Sequence, residues 1–247
     1  MQTVTFADRK GIPLKADIFH VSDGGPLVVF CHGGGWISGG REDYHDEAQW
    51  WAEQGINCAC VSYRLAPLNP FPAAVADLQD FVMFARKEGY EKIVAFGNSA
   101  GGHISAMLAL SDDYFGLEDD ATGFKVDAAV AVCPITDVTN TRETHFPVSW
   151  PFLEQFVGSL DAEDALLKAA SPIYHVSSND VPMLLIHGED DDIVPADQSR
   201  RLFEALQKVG APTDLHILPG EMHSFTWDAW QKIRDLSLAW LPQTVKR

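Results

Sequence analysis

The feature that most limits how this chain can fold is a repeated alternation of two patterns. Short, uniformly apolar, β-rich runs occupy 26–31, 56–63, 93–96, 128–133, 181–186 and 214–218, after two candidate strands near 2–7 and 14–19. Strands that are apolar throughout suit a sheet covered on both faces. Between the runs lie helical segments. Pro72 opens one that carries Val75, Leu78, Val82 and Ala85 at helical spacing, with Gly89 just past its end. Others are predicted over about 99–110, 195–209 and 225–241. Strands alternating with helices give an α/β chain with a mostly parallel, doubly wound sheet, read here as one domain over 1–247. Only 134–180 breaks the alternation, with two short helical stretches near 151–157 and 161–169, and it is expected to form a small lid.

Charge removes several partner classes. With 18 Lys+Arg against 35 Asp+Glu, the net charge is 18 − 35 = −17. A protein this acidic is repelled by nucleic acid and by anionic lipid, so neither is an expected partner. No apolar run reaches the roughly 20 residues of a membrane span, and the N-terminal residues alternate polar and apolar without the apolar core of a secretory leader. Cys31, Cys58, Cys60 and Cys133 all fall inside apolar runs and are expected as buried free thiols in a cytoplasmic protein, monomeric or a homodimer.

The strongest chemical signal is Gly97-Asn98-Ser99-Ala100-Gly101-Gly102, between a predicted strand and a predicted helix. A G-x-S-x-G turn in that context is a nucleophile elbow: small flanking residues permit a sharp turn that leaves the Ser99 hydroxyl exposed above the sheet. A tight turn with a serine cap is the bland reading, and the flanking elements favour the elbow. His32-Gly33-Gly34-Gly35-Trp36 follows another strand, where such a loop supplies backbone N–H groups to an oxyanion hole. Gly34, Gly35 and Ala100 are the assigned donors. A phosphate cradle is disfavoured because no G-K-[ST] or strand-end G-x-G-x-x-G is present.

Serine needs a base, and the base needs an orienting acid. Of nine histidines, His223 lies in the loop between the last strand and the last helix, where it can reach Ser99. His103, four residues after Ser99 on the same helix, is expected to be structural, as are His32 and His187 at strand ends. For the acid, the run Asp190-Asp191-Asp192 leaves three candidates. No H-E-x-x-H, C-x-x-C or calcium-loop spacing occurs, so no required metal and no cofactor is expected. Trp36, Trp150 and Phe225 are the candidate pocket residues, on loops or segments near the site.

Together, His32–Trp36, Ser62-Tyr63-Arg64-Leu65-Ala66-Pro67, Phe71-Pro72-Ala73-Ala74, Gly97–His103 and His187-Gly188 with Val194-Pro195 resemble the α/β-hydrolase superfamily. Within it the chain is most similar to esterases related to hormone-sensitive lipase and to bifunctional feruloyl/acetylxylan esterases. The resemblance implies that the acid lies four positions before the proline of the V-P pair, which selects Asp191, and that His223 is the base. Such relatives usually carry an N-terminal helical cap, whereas this chain begins with strands, so an open site for small neutral esters is expected. The resemblance also extends to kynurenine formamidases, which makes an arylformamide hydrolase the alternative. A ligand receptor and a serine peptidase rank below both.

Overall fold

A computed structural model of the chain describes residues 1–116 and 122–245. Eight strands form one sheet: β1 (Gln2–Asp8), β2 (Pro13–Phe19), β3 (Leu27–Cys31), β4 (Asn57–Val61), β5 (Ile93–Asn98), β6 (Ala128–Val132), β7 (Met183–Gly188) and β8 (Thr213–Leu218). The order is β1-β2-β4-β3-β5-β6-β7-β8. β1 and β2 pair antiparallel, β2 joins β4 antiparallel, and β4 through β8 run parallel. This is the α/β-hydrolase fold, and every predicted strand lies within two residues of its observed bounds.

The helices are α1 (His45–Glu53), α2 (Ala73–Lys87), α3 (Ala100–Leu110), α4 (Thr141–Thr144), α5 (Trp150–Val157), α6 (Asp164–Ala169), α7 (Asp197–Val209) and α8 (Trp227–Val245). α1 has no counterpart in the sequence reading. Its surface is mostly polar, and only Ala48, Trp51 and Glu47 are buried, so it shows little apolar periodicity. Pro72 is the cap preceding α2 and lies outside the helix itself.

The uniformly apolar strands are explained by two covered faces. Val29, Val61, Ala95, Ala131 and Leu185 pack with α2, α3 and α7. Their chain neighbours, among them Val28, Phe30, Cys60, Val94 and Ile186, pack against α1 and α8. Successive side chains point to opposite faces, so both sets must be apolar. Cys58 and Cys60 share the α1/α8 face, and all four cysteines are buried and free. No described helix is long and apolar enough to cross a membrane.

The chain leaves β3 toward β4 on one side and leaves β5 toward β6 on the other. The loops after β3 and β5 therefore diverge at adjacent carboxyl ends, the topological switch point where open α/β sheets form a crevice. The 134–180 stretch, holding α4, α5 and α6, packs over this end. It is tied to α7 by Gln198, whose Oε1 accepts from the N–H groups of Thr136 and Asp137 at 2.9 Å each.

On the opposite side of the sheet from α1, α2 carries a buried charged cluster. Asp77, fully buried, accepts from Arg64 at 2.8 Å, and the Arg9 guanidinium lies 3.3 Å away. Arg9 also pairs with Asp80. Burial pushes the Asp77 carboxyl up, against the pull of the two arginines. This explains Arg64 of the Ser62–Pro67 motif as an anchor of the loop after β4. Asp77→Ala would leave two cations around a vacated buried position, and we expect a loss of about 3 kcal/mol in urea unfolding. A loss below ~1 kcal/mol would show that the cluster is not a structural anchor.

Candidate active site

At the end of β5 the backbone turns within one residue. Ser99 adopts φ 56° and ψ −122°, a strained conformation for a residue with a Cβ, costing of order 1–3 kcal/mol. The turn is that tight because β3 and β5 run side by side, Cys31 pairing with Gly97. A Cβ on Gly101 would lie 1.9 Å from the Cys31 carbonyl oxygen, and one on Gly97 would lie 2.4 Å from Gly101. Only hydrogen fits at either position. Ser99 N–H donates to Val132 O at 2.9 Å, which ties the elbow to β6.

The three residues expected to act together meet in space. His223 Nε2 lies 3.0 Å from Ser99 Oγ, and His223 Nδ1 lies 2.8 Å from Asp191 Oδ2. Of the three consecutive aspartates, only Asp191 is buried; Asp190 and Asp192 are exposed. Asp191 Oδ1 accepts from the N–H groups of Ile193 and Val194 at 2.9 and 2.7 Å. Burial works against its charge, yet bonds from His187 and His223 and from the Val194 N–H hold its carboxyl well below the usual range. For His223, burial disfavours the cation, but the bond and charge of Asp191, reinforced by Cys133, raise its pKa above the ordinary imidazole value.

The glycine loop after β3 stands beside Ser99. Gly34 has φ +94°, and a Cβ there would lie 2.3 Å from Ser38 O. None of the N–H groups of Gly34, Gly35 and Ala100 donates to another described residue. The loop is braced from below: Tyr63 O–H donates toward the carbonyls of His32 and Gly33 at 3.0 and 3.2 Å, and its ring stacks on His32 with centroids 4.0 Å apart. His187 bonds Ser199 Oγ and Val194 O, the bracing role expected of it. His103 is fully buried and structural. Burial pushes its pKa down to about 4, leaving a neutral ring that donates from Nε2 to Ala170 O and accepts at Nδ1 from Trp36.

Ser99 and His223 open onto a cavity of about 740 Å³. Its apolar walls come from Ile135, Val148, Phe152 and Leu153 of the 134–180 stretch, from Phe225 in the loop before α8, and from Trp227 and Trp230 in its first turn. Phe225 is thus where expected. Trp36 reaches the cavity only marginally: it is 2% exposed and stacks on Phe156 at 4.1 Å. Trp150 is not a lining residue, which corrects the sequence reading. On α5 the face toward the cavity carries Phe152 and Leu153, and Trp150 is turned away, its indole N–H bonded to His145 O at 3.2 Å. No Asp, Glu, Lys or Arg is among the described lining residues.

A neighbouring cavity of about 440 Å³, sharing Gly34, Asn98, Trp227 and Trp230 with the first, is lined by Asp43, Asp46, Glu47 and Arg234. Glu47 and Arg234 pair at 2.7 Å.

Two residues here went unnoticed in the sequence. Asn98, beside Ser99, accepts from Tyr44 O–H at 2.8 Å. Cys133 lies at the end of β6 with φ 39°, its Sγ within 4.8 Å of ligand atoms of Asp191 and His223. The usable signal for Cys133 was position, at the carboxyl end of the strand next to the nucleophile strand.

The fold is that of an α/β-hydrolase, and Ser99, His223 and Asp191 lie hydrogen-bonded in line at the carboxyl end of its sheet. The BD-FAE family model matches residues 19–206, and the chain belongs to that family. Esterase LipQ of Mycobacterium tuberculosis is 32% identical over 212 residues, 81% of this chain and 50% of that protein. The isoprenylcysteine alpha-carbonyl methylesterase ICME of Arabidopsis thaliana is 26% identical over 81% of this chain and 50% of its own length. This chain spans about half the length of these curated relatives. Among solved structures, the thermophilic esterase Est2 of Thermogutta terrifontis superposes with TM-score 0.83 at 26% identity, covering 98% of this chain and 91% of that one.

The raised His223 value has a direct check. Its cation persists to higher pH than a free imidazole, so the pairing contributes its full stability below about pH 6.5 and loses it as pH rises through the folded value. Imidazole NMR should place the His223 midpoint above ~6.5, and Asp191→Asn should lower it. An unchanged midpoint in Asp191→Asn would contradict the pairing.

Proposed function

We propose that this chain is a serine carboxylic-ester hydrolase acting on small neutral esters. The observation that carries the reading is the continuous hydrogen-bonded line from Ser99 through His223 to Asp191, ending at the cavity beside the glycine loop. Ser99 Oγ attacks the ester carbonyl while the neutral form of His223, populated as pH rises through its raised pKa, takes the proton on Nε2, and Asp191 orients the ring and stabilises the cation that results. The negative oxygen of the tetrahedral intermediate is bound by the N–H groups of Gly34, Gly35 and Ala100. His223 then protonates the departing alcohol, and water, deprotonated by the same ring, releases the acid.

The cavity favours a small neutral substrate on two grounds. Its volume suits a drug-sized molecule, and none of its described lining residues is an Asp, Glu, Lys or Arg that would pair with an ionic group. The names of the relatives agree in class, and Est2 has been crystallised with propionate and with butyrate bound. Short acyl esters are accordingly the first class to test, with acetylated sugars and hydroxycinnamate esters beside them. Four buried free thiols suit a reducing cytoplasm.

A panel of p-nitrophenyl esters of rising acyl length, with methyl ferulate, an acetylated sugar and N-formylkynurenine, separates the readings. We expect the highest kcat/KM on acetate to butyrate, and a fall in kcat of at least about 10⁴-fold in Ser99→Ala. Near-full turnover by pure Ser99→Ala would sink the mechanism, and a dominant formamide activity would move the protein to arylformamide hydrolysis. Gly34→Ala, strained by its positive φ, should lower kcat by roughly 10²-fold with little change in KM. An equal loss in KM alone would place Gly34 in substrate binding instead.

A further inference from the structure

Acyl transfer leaves one buried side chain beside the relay without a task. Cys133 is fully buried, yet its sulfur sits among the working atoms: Cys133 Sγ, a carboxylate oxygen of Asp191 and a ring nitrogen of His223 all lie within 4.8 Å of one another. Serine, histidine and aspartate already complete the proton relay, so the thiol is surplus to it.

The three groups differ in softness and together form a recognisable donor set. Thiolate, imidazole and carboxylate are the ligands of zinc, bound at about 2.3, 2.0 and 2.0–2.2 Å, which places neighbouring donors of a tetrahedral set roughly 3.3–3.8 Å apart. To meet that geometry the His223 Nδ1–Asp191 Oδ2 pair, now at 2.8 Å, must open slightly, and the sulfur, within 4.8 Å of both groups, must draw in. The donors are also held in place from behind, as good metal sites are. Asp191 Oδ1 is fixed by two backbone N–H groups, and His187 stands 3.3 Å from Oδ2. Cys133 is held by its backbone N–H, which donates to Ile186 O on β7 at 2.8 Å, the strand whose following loop carries Asp191. His223, partly exposed at the cavity, offers the entry path.

We infer that Cys133, Asp191 and His223 form an inhibitory binding site for a soft divalent cation, with Zn²⁺ as the matching ion. On binding, the thiol and the Nδ1–H of the His223 cation each release a proton to solvent, and the metal takes the lone pairs of sulfur, the carboxylate and Nδ1. The one remaining imidazole proton then sits on Nε2, facing Ser99. A ring protonated there and metallated at Nδ1 cannot accept the serine proton, so ester turnover stops. The inhibitory consequence rests on the serine-hydrolase reading; the binding itself does not. Hard cations such as Mg²⁺ prefer all-oxygen sites and should not compete.

The test pairs activity with direct binding. In the intact protein, micromolar Zn²⁺ should inhibit p-nitrophenyl acetate hydrolysis reversibly, with recovery on adding EDTA and no effect of equal Mg²⁺. Cys133→Ala should need about tenfold more Zn²⁺ or higher for half-inhibition of its own rate. Cys133→Ser serves as the second variant, with circular dichroism confirming that each is folded. Co²⁺ should give a thiolate charge-transfer band in wild type and in Ser99→Ala, absent from both Cys133 variants, and calorimetry should show one Zn²⁺ per chain. Equal Zn²⁺ sensitivity in wild type and both Cys133 variants, or no stoichiometric binding to wild type, overturns the site. Binding that persists in a wild-type protein inactive on every ester would instead overturn the hydrolase reading and leave the site standing.

Discussion

The structure depends on how closely β3 and β5 approach at their carboxyl ends. The Cys31 carbonyl lies where a Cβ of Gly101 would be, at 1.9 Å, so the elbow and the glycine loop are packed backbone against backbone. No side chain separates them. That contact sets both the position of the Ser99 hydroxyl and the distance from it to the N–H groups of Gly34 and Gly35. It also explains why the strain at Ser99 persists: the parallel pairing on both sides of β5 over-determines the turn.

A second layer holds this arrangement from the side. Trp36 closes the glycine loop and is gripped between Phe156 of α5 and the neutral ring of His103, which in turn donates to Ala170. The 134–180 stretch therefore does more than cover a cavity. Through Phe156 and Ala170 it packs against the glycine loop and the helix that follows Ser99. A change in that stretch would be felt at the glycine loop, because the contacts are dense and apolar. Charge is distributed with similar economy: carboxylates stay out of the main cavity and gather in the neighbouring one, where Arg234 neutralises Glu47.

Much of this was legible in the sequence. The doubly wound sheet follows from uniformly apolar strands alternating with helices, a pattern that only burial on both faces requires. Ser99 and the glycine loop were readable because sterics at a tight turn demand small residues in a fixed local order. His223 was readable from its place before the last helix. Asp191 was selected by resemblance, and what sets it apart from Asp190 and Asp192 is its burial and its bond to His223, properties that local sequence does not carry. α1 escaped notice because only one narrow face of it is buried.

What tertiary structure alone decided concerns groups distant in the chain. Trp36 and Trp150 both lie in promising segments, yet Trp36 is sealed by Phe156, and Trp150 turns away because α5 presents Phe152 and Leu153 to the cavity. Cys133 looked like one more apolar residue in a buried strand. It stands beside Asp191 and His223 only because β6 and β7 pair and the loop after β8 folds back over them. Sequence specified the periodicities and tight turns, since these are set by sterics over a few residues. Which side chains face a common space depends on strand order and helix rotation, and those are settled only when the whole core is packed.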